Sequence, residues 1–416
     1  NNSRYWGCFA TRVSFVGMNN RISRALIATA ASAALVFGAT VVAPSWAVPS
    51  YPTAAEVAAA KRNVAAKKVM IARIEKIVQE LAVEANKLGR VAQIKGEAFN
   101  QAQDAVDAMT AKVNSLQSQA DAANAEANKA KAQLGQIAAQ MYRDGTGGTS
   151  LNLFLNAGKA DDLLYQLGAQ EKVAQQSDTI YNRSLAKQKY AQSLTDELAG
   201  AKAELGTKAA AAKGLFVEAQ TAANAVQSKV DANNKLNKTF YAQLAVLQNT
   251  SADLERQRAE GLAAEARQNA GTSKPVAPEL YAVGDADANK VQIAIDFAKA
   301  NLGERYVLGG MGPDVWDCSG LTKAGYAAAG IYIGTHSATN QFNTMAAARK
   351  LVPLSQWQAG DLIWYSEESA FNGDKYHVAF YLGGEMMLEA PNPARTVRIV
   401  PVRYGELFPY AGRPSA

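Results

Sequence analysis

Cys318, His377 and Glu389 are the residues of this 416-residue chain whose types and spacing can do chemistry together. Cys318 stands in Trp316-Asp317-Cys318-Ser319-Gly320-Leu321, behind a Gly/Pro-rich loop and at the start of an apolar helical run. A thiol at a helix N-terminus feels the positive end of the helix dipole, which favours thiolate, the nucleophilic form. His377 opens the run His377-Val378-Ala379-Phe380-Tyr381-Leu382 and is one of two histidines in the chain. Glu389 closes the next apolar run, twelve residues later. If these runs are neighbouring antiparallel strands, the carboxylate lies beside the imidazole and can hold it in its working tautomer. Nucleophile, base and orienter are then all present. Each residue alone has a plainer reading, as a buried inert thiol, an edge-strand histidine or a strand-end carboxylate. With no C-x-x-C or H-x-x-x-H spacing, a zinc site is not expected, and nothing calls for a cofactor.

The elements that must position these residues are legible around them. From Lys290, Val291, Ile295, Ala298 and Leu302 mark a helix ending at Gly303, and a second helix begins at Cys318. Short strands are predicted at 361–365, 377–382, 386–389 and 397–401. Helices first and strands afterwards indicate an α+β fold with an antiparallel sheet over residues 290–416. Residues 271–289, opening Gly271-Thr272-Ser273-Lys274-Pro275, read as a linker.

Before the linker the pattern is helical. Thr53 and Glu56 form a capping box, and apolar or Ala positions from Val57 to Leu88 recur at steps of three and four. The next core position is Phe99, a stutter, after which the rhythm holds to Met141. Gly145, Gly147 and Gly148 end this arm, and a less regular second arm runs to about Arg267. Residues 48–270 are therefore expected to form a long antiparallel coiled-coil hairpin. Unbroken from 53 to 143, its first arm would measure about 135 Å at 1.5 Å per residue. Apolar residues at the tip, Leu153, Phe154, Leu155, Leu163 and Leu164, suggest a docking surface.

Further back, Arg21 and Arg24 precede an apolar run that ends at Ser45-Trp46-Ala47, so residues 18–47 read as a cleaved signal peptide and 1–17 as upstream sequence. Cys8 falls in that upstream stretch, which leaves Cys318 as the exported chain's one thiol. The net charge of +6 is mild, suits weak wall or membrane-surface association, and comes without the basic-aromatic clusters of a nucleic-acid binder.

The stretches Tyr306-Val307-Leu308-Gly309-Gly310, Gly312-Pro313, Asp317-Cys318-Ser319-Gly320-Leu321, His336-Ser337 with Gln341, Gln358-Ala359-Gly360-Asp361-Leu362-Ile363 and His377 to Gly383 stand in the order of the NlpC/P60 cell-wall cysteine peptidases. Residues 290–416 resemble that family. The resemblance implies a papain-like domain in which Cys318 is the nucleophile, His377 the general base and Glu389 the orienting residue. It also implies that the Tyr306 hydroxyl helps form the oxyanion site, that Asp317 and Ser319 flank the cleft, and that His336 and Gln341 belong to the substrate groove. Glu stands at a third position often filled by His, Asn or Gln, and Leu308 replaces the usual Trp.

A leader, a coiled coil and this domain together resemble secreted D,L-endopeptidases of actinobacterial cell separation. That likeness implies stem peptides of peptidoglycan as substrate, cut between D-γ-glutamate and the diamino acid. It also implies an FtsX-like membrane partner at the arm tip and control by the arm. The rival expectations are an inactive adaptor that activates other wall hydrolases and an amidase on the same fold.

Overall fold

The computed structural model describes residues 51–143, 160–269 and 273–416. The chain divides into two units, Asn1–Tyr51 and Pro52–Ala416, and every described helix and strand belongs to the second. The expected leader, the upstream stretch and the apolar tip at 153–155 lie outside the described residues.

Two long helices make the hairpin. Helix α1 (Ala54–Ala60) begins at the predicted capping box, with Thr53 and Glu56 exchanging hydrogen bonds. The first arm is not continuous: a turn at 61–63 separates α1 from α2 (Val64–Arg143). Asn63 causes the restart, its side-chain oxygen accepting from the Ala65 and Ala66 amides at the head of the new helix. The return arm is α3 (Ala160–Gln248), followed after a second turn by α4 (Ala252–Asn269).

The ion pairs Glu84–Lys229, Lys95–Glu218, Lys112–Glu197 and Glu126–Lys187 fall in opposite order on α2 and α3, which makes the two arms antiparallel. Between them lies the alanine-rich seam read from the heptads, with Val113, Leu116, Ala120, Ala123 and Ala127 packed on Ala191, Leu194, Leu198 and Ala201. At the stutter, Phe99 meets Phe216 edge to face at 5.3 Å. No helix among the described residues is long and apolar enough to cross a membrane.

The C-terminal domain is α+β. Helices α5 (Ala288–Ala300), α6 (Cys318–Ala328) and α7 (Ala338–Ala347) accompany eight strands. Strands β1 (Arg305–Tyr306) and β2 (Val315–Trp316) form a small parallel pair. The main sheet has the order β3-β8-β4-β5-β6-β7 and is antiparallel throughout. Its strands are β3 (Leu351–Pro353), β4 (Leu362–Tyr365), β5 (His377–Gly383), β6 (Met386–Glu389), β7 (Arg398–Pro401) and β8 (Leu407–Gly412).

Four of these were predicted within one residue at each end, whereas β3 and β8 were not predicted. Both lie in stretches with Pro353 and Pro409, which depress strand propensity, and they pair with each other and with β4 across long separations. The core lies between α6 and the sheet, where Tyr326 stacks on Phe380 at 5.6 Å and Phe342 meets Trp364 and Phe408.

One segment differs from the sequence reading. The linker is laid along the domain from Lys274 onward: the Lys274 ammonium sits 3.7 Å over the Trp357 ring, and Tyr281 packs against the core while accepting from the Leu351 amide. The polar stretch 366–376 folds onto the domain. Its Phe371 packs on Phe342 and Phe408, and Lys375 is buried over the same two rings.

Candidate active site

Asp317 sets the start of α6 and therefore the position of the thiol. Its side chain caps the helix by accepting from the Gly320 amide at 2.8 Å, and it also accepts from Ser319 Oγ and the Gly309 amide. Close approach is essential here. A Cβ on Gly320 would lie 2.1 Å from the Gly310 carbonyl oxygen. Gly320→Ala must therefore push the Cys318 turn off the β1–β2 loop, and should cost about 1–3 kcal/mol or more. A thermal melt indistinguishable from wild type would contradict this packing.

Cys318 is buried, and its sulfur accepts from the backbone amides of Val378 and Ser319. Through Val378 the thiol is held beside the residue that follows His377. Burial, with the Asp317 and Glu97 charges nearby, pushes the thiol well above its ordinary pKa. His377 is fully buried. Its Nε2 lies 2.8 Å from Glu389 Oε2, so adjacent antiparallel strands β5 and β6 bring imidazole and carboxylate together. Burial lowers the His377 pKa; Glu389 opposes that effect, and Arg403 and Arg398 add to it. Burial works against a charge on Glu389 too, but the two guanidiniums and the imidazole hold it well below the usual carboxylate range. The site thus holds a neutral thiol at the head of α6 and, on β5 and β6, a neutral imidazole with an ionised carboxylate behind it.

Tyr306 is buried close to Cys318, and burial raises its hydroxyl well above the usual tyrosine value, so it stays a donor. Ser319 is buried against Asp317. His336 Nε2 lies 2.8 Å from Asp317 Oδ1; burial alone would lower its pKa, but the Asp317 charge overcomes that and raises it. Gln341 is fully buried, its amide nitrogen donating to the Ser319 and Thr335 carbonyls and its oxygen accepting from Thr322. It braces the floor beneath the cleft.

The sequence reading missed what covers the site. Helix α2 crosses it at the stutter, where Gln93, Glu97 and Asn100 are buried. Gln93 Nε2 lies 3.0 Å from His377 Nδ1 and also donates to the Pro391 carbonyl. With acceptors on both sides, this atom is the amide nitrogen, so Nδ1 carries no proton and Nε2–H donates to Glu389. Asn100 reaches Asp317 and Ser319 at 3.4 and 3.5 Å. Glu97 sits in a cradle at the head of α7, accepting from Ser337 Oγ at 2.6 Å and from the Ala338 and Thr339 amides at 2.9 and 3.0 Å. Burial, only partly offset by those donors, raises the Glu97 carboxyl to about 7.

Close approach of α2 requires small residues. Gly96 faces Leu308 and Tyr306, and Gly89 faces Asn392. Farther out, Asp104 bonds Thr335, and Arg90 pairs with Glu406 and Glu367. The signal that could have found this face is the run Gly89, Gln93, Gly96, Glu97, Asn100 and Asp104 at helical spacing, polar or small, centred where the heptads break.

A thiol, an imidazole and a carboxylate are the groups that acyl transfer by a nucleophile, base and orienter requires. Among the described residues no group of three or more His, Cys, Asp or Glu is placed to hold a metal ion. Residues 303–407 match the NlpC/P60 family. The chain is 40% identical over 104 residues to peptidoglycan endopeptidase RipA of Mycobacterium tuberculosis, an alignment spanning 25% of this chain and 20% of the relative. It is 32% identical over 183 residues to peptidoglycan endopeptidase RipB of the same species, spanning 39% of this chain and 70% of the relative. With a Bacillus cereus γ-D-glutamyl-L-lysine dipeptidyl-peptidase it shares 34% identity over 119 residues, 28% of this chain and 34% of the relative. The chain thus spans only about a fifth of RipA. The matched segment carries the buried residues Cys318, His377 and Glu389, and the chain belongs to the NlpC/P60 family.

Proposed function

We propose that this protein is an extracytoplasmic peptidoglycan hydrolase that cuts stem peptides at the D-γ-glutamyl–diamino acid bond. The observation that carries it is the buried His377–Glu389 pair at 2.8 Å, with the Cys318 thiol held by the amide of the next residue, Val378, and Tyr306 close to the sulfur. Named relatives that act on peptidoglycan or on γ-D-glutamyl-L-lysine support the substrate class.

In the reaction His377 Nδ1 takes the thiol proton as sulfur attacks the γ-glutamyl carbonyl. The Tyr306 hydroxyl and the Cys318 amide donate to the developing oxyanion. The imidazolium, oriented by its hydrogen bond to Glu389, then gives its proton to the departing amine of the diamino acid. Water, deprotonated by the same imidazole, hydrolyses the thioester and releases a peptide ending in glutamate with a free γ-carboxylate.

The arm belongs to this function. Gln93 occupies the lone pair on His377 Nδ1 that must receive the thiol proton, while Glu97 and Asn100 fill the cleft beside it. The covered enzyme is therefore held inactive by its own hairpin, chemically as well as sterically. An FtsX-like division component that draws the arm away is the partner this reading calls for. Mass spectrometry of products from purified peptidoglycan tests the bond: new diamino-acid N-termini are expected. Release of whole stem peptides from the sugar would replace this reading with an amidase.

A further inference from the structure

We propose that Arg398 and Arg403 are positioning residues that turn Glu389 into a fixed, charge-neutralised acceptor, which orients His377 without drawing it to the imidazolium. This rests on the reading of His377 as the general base.

The carboxylate is fully enclosed and used on both oxygens. Oε1 accepts from Arg398 Nε at 3.0 Å and Nη2 at 2.7 Å and from Arg403 Nη1 at 3.0 Å. Oε2 accepts from Arg403 Nη1 at 3.0 Å and faces His377 Nε2 at 2.8 Å. Both guanidiniums are placed by the fold. Arg398 is the direct cross-strand partner of Glu389 in the β6–β7 register. The Arg403 guanidinium lies 4.6 Å over the Tyr365 ring, whose hydroxyl accepts from the Arg403 amide. The same ring tilts against the imidazole at 5.6 Å, so one tyrosine walls both groups.

Charge sets the consequence. A lone buried carboxylate beside an imidazole stabilises the imidazolium and pulls the pair toward an ion pair. Here two fixed cations share one carboxylate, so protonating His377 adds a third positive charge to the cluster. The hydrogen bond to Nε2–H survives because geometry makes it, and it leaves Nδ1 bare. Glu389 thereby does the work of an uncharged acceptor while remaining ionised. The other titratable groups around the imidazole are the Cys318 thiol from α6, Tyr365 from β4 and, beyond Cys318, Asp317 and the arm's Glu97. The arm residue in contact, Gln93, is uncharged.

The chain has only two histidines, so both can be followed by NMR in the full-length protein labelled with ¹⁵N-histidine, with His336→Gln giving the assignment. In the wild type His377 should show a protonated Nε2 and a bare Nδ1, with a midpoint below that of an ordinary histidine. The Arg398→Gln/Arg403→Gln pair should raise that midpoint by about one pH unit or more, whereas Lys at both positions should keep it low. Should the double variant not fold, Arg398→Gln alone leaves Arg403 on the carboxylate and should move the midpoint upward by less. A midpoint unmoved or lowered in the folded Gln variant, double or single, overturns the proposal, as does a Lys pair that titrates like the Gln pair. The readout is independent of hydrolysis. An unmoved midpoint in a protein that still cuts wall peptide sinks the arginines alone; a raised midpoint in a protein that cuts none sinks the enzyme reading alone.

Discussion

Cys318→Ala should leave the chain folded and remove peptidoglycan hydrolysis, with product release falling at least about a thousandfold once the arm is opened. The substitution deletes one sulfur from a buried site at the first position of α6. Alanine keeps the backbone amide, the Asp317 cap and the helix, so the thermal midpoint should stay close to wild type. What disappears is the atom that forms the thioester. His377 and Tyr306 remain, but with no nucleophile to deprotonate or oxyanion to hold, positioning alone gives little rate. Release of stem-peptide fragments, followed by chromatography, is the measurement. Undiminished cleavage by the alanine variant would remove Cys318 from the mechanism.

Glu97→Lys should act in the opposite direction, raising hydrolysis by the full-length chain at least about tenfold. The native carboxylate sits among the Ser337 hydroxyl and the Ala338 and Thr339 amides at the positive end of α7. An ammonium there meets donors only, in a buried place, and a mismatch of that kind costs several kcal/mol. That is enough to lift α2 from the cleft and free His377 Nδ1. Equal rates for the variant and the wild type would show that the arm does not limit access.

The same residue gives the contact between α2 and α7 a pH dependence. In the closed arm the carboxyl titrates near 7, against 4.5 for an ordinary glutamate. The closed state therefore binds the proton more tightly than the open one. Its stabilising contribution is complete below about 4.5, shrinks as pH rises, and is lost above about 7, a range worth on the order of 3 kcal/mol. Hydrogen exchange at the Ala338 and Thr339 amides, measured in the Cys318→Ala background, should speed up more between pH 5 and 8 than exchange chemistry alone predicts. Glu97→Gln should flatten that excess, and a persistent excess in the glutamine variant would assign the dependence elsewhere.

Several parts of this architecture were legible in the residues themselves. The Thr53–Glu56 box starts a helix because both partners lie within one turn. The three-four rhythm of Val113, Leu116 and Ala120 yields a seam because helix periodicity is local. The alternation after His377 and the four-residue run ending at Glu389 place the two side chains on neighbouring strands. The turn at 61–63 was visible in principle too, since Asn63 is a good cap, but a heptad rhythm running through it concealed the break.

By itself, then, the sequence determined the strand pair that joins His377 to Glu389, the helical hairpin and the family. All of these rest on short-range spacing or on motifs. Only the tertiary structure decided what faces the thiol. Gln93 meets His377 across 284 residues and Glu97 meets Ser337 across 240, and no local rule encodes such partners. A run of polar and small residues on a helix has the pattern of a solvated face until a second surface with matching donors and acceptors is brought against it. The arginines behind Glu389 were hidden for a related reason. Arg398 and Arg403 have the spacing of ordinary surface charges, and only the register of β7 on β6 and the ring of Tyr365 turn them onto one buried carboxylate.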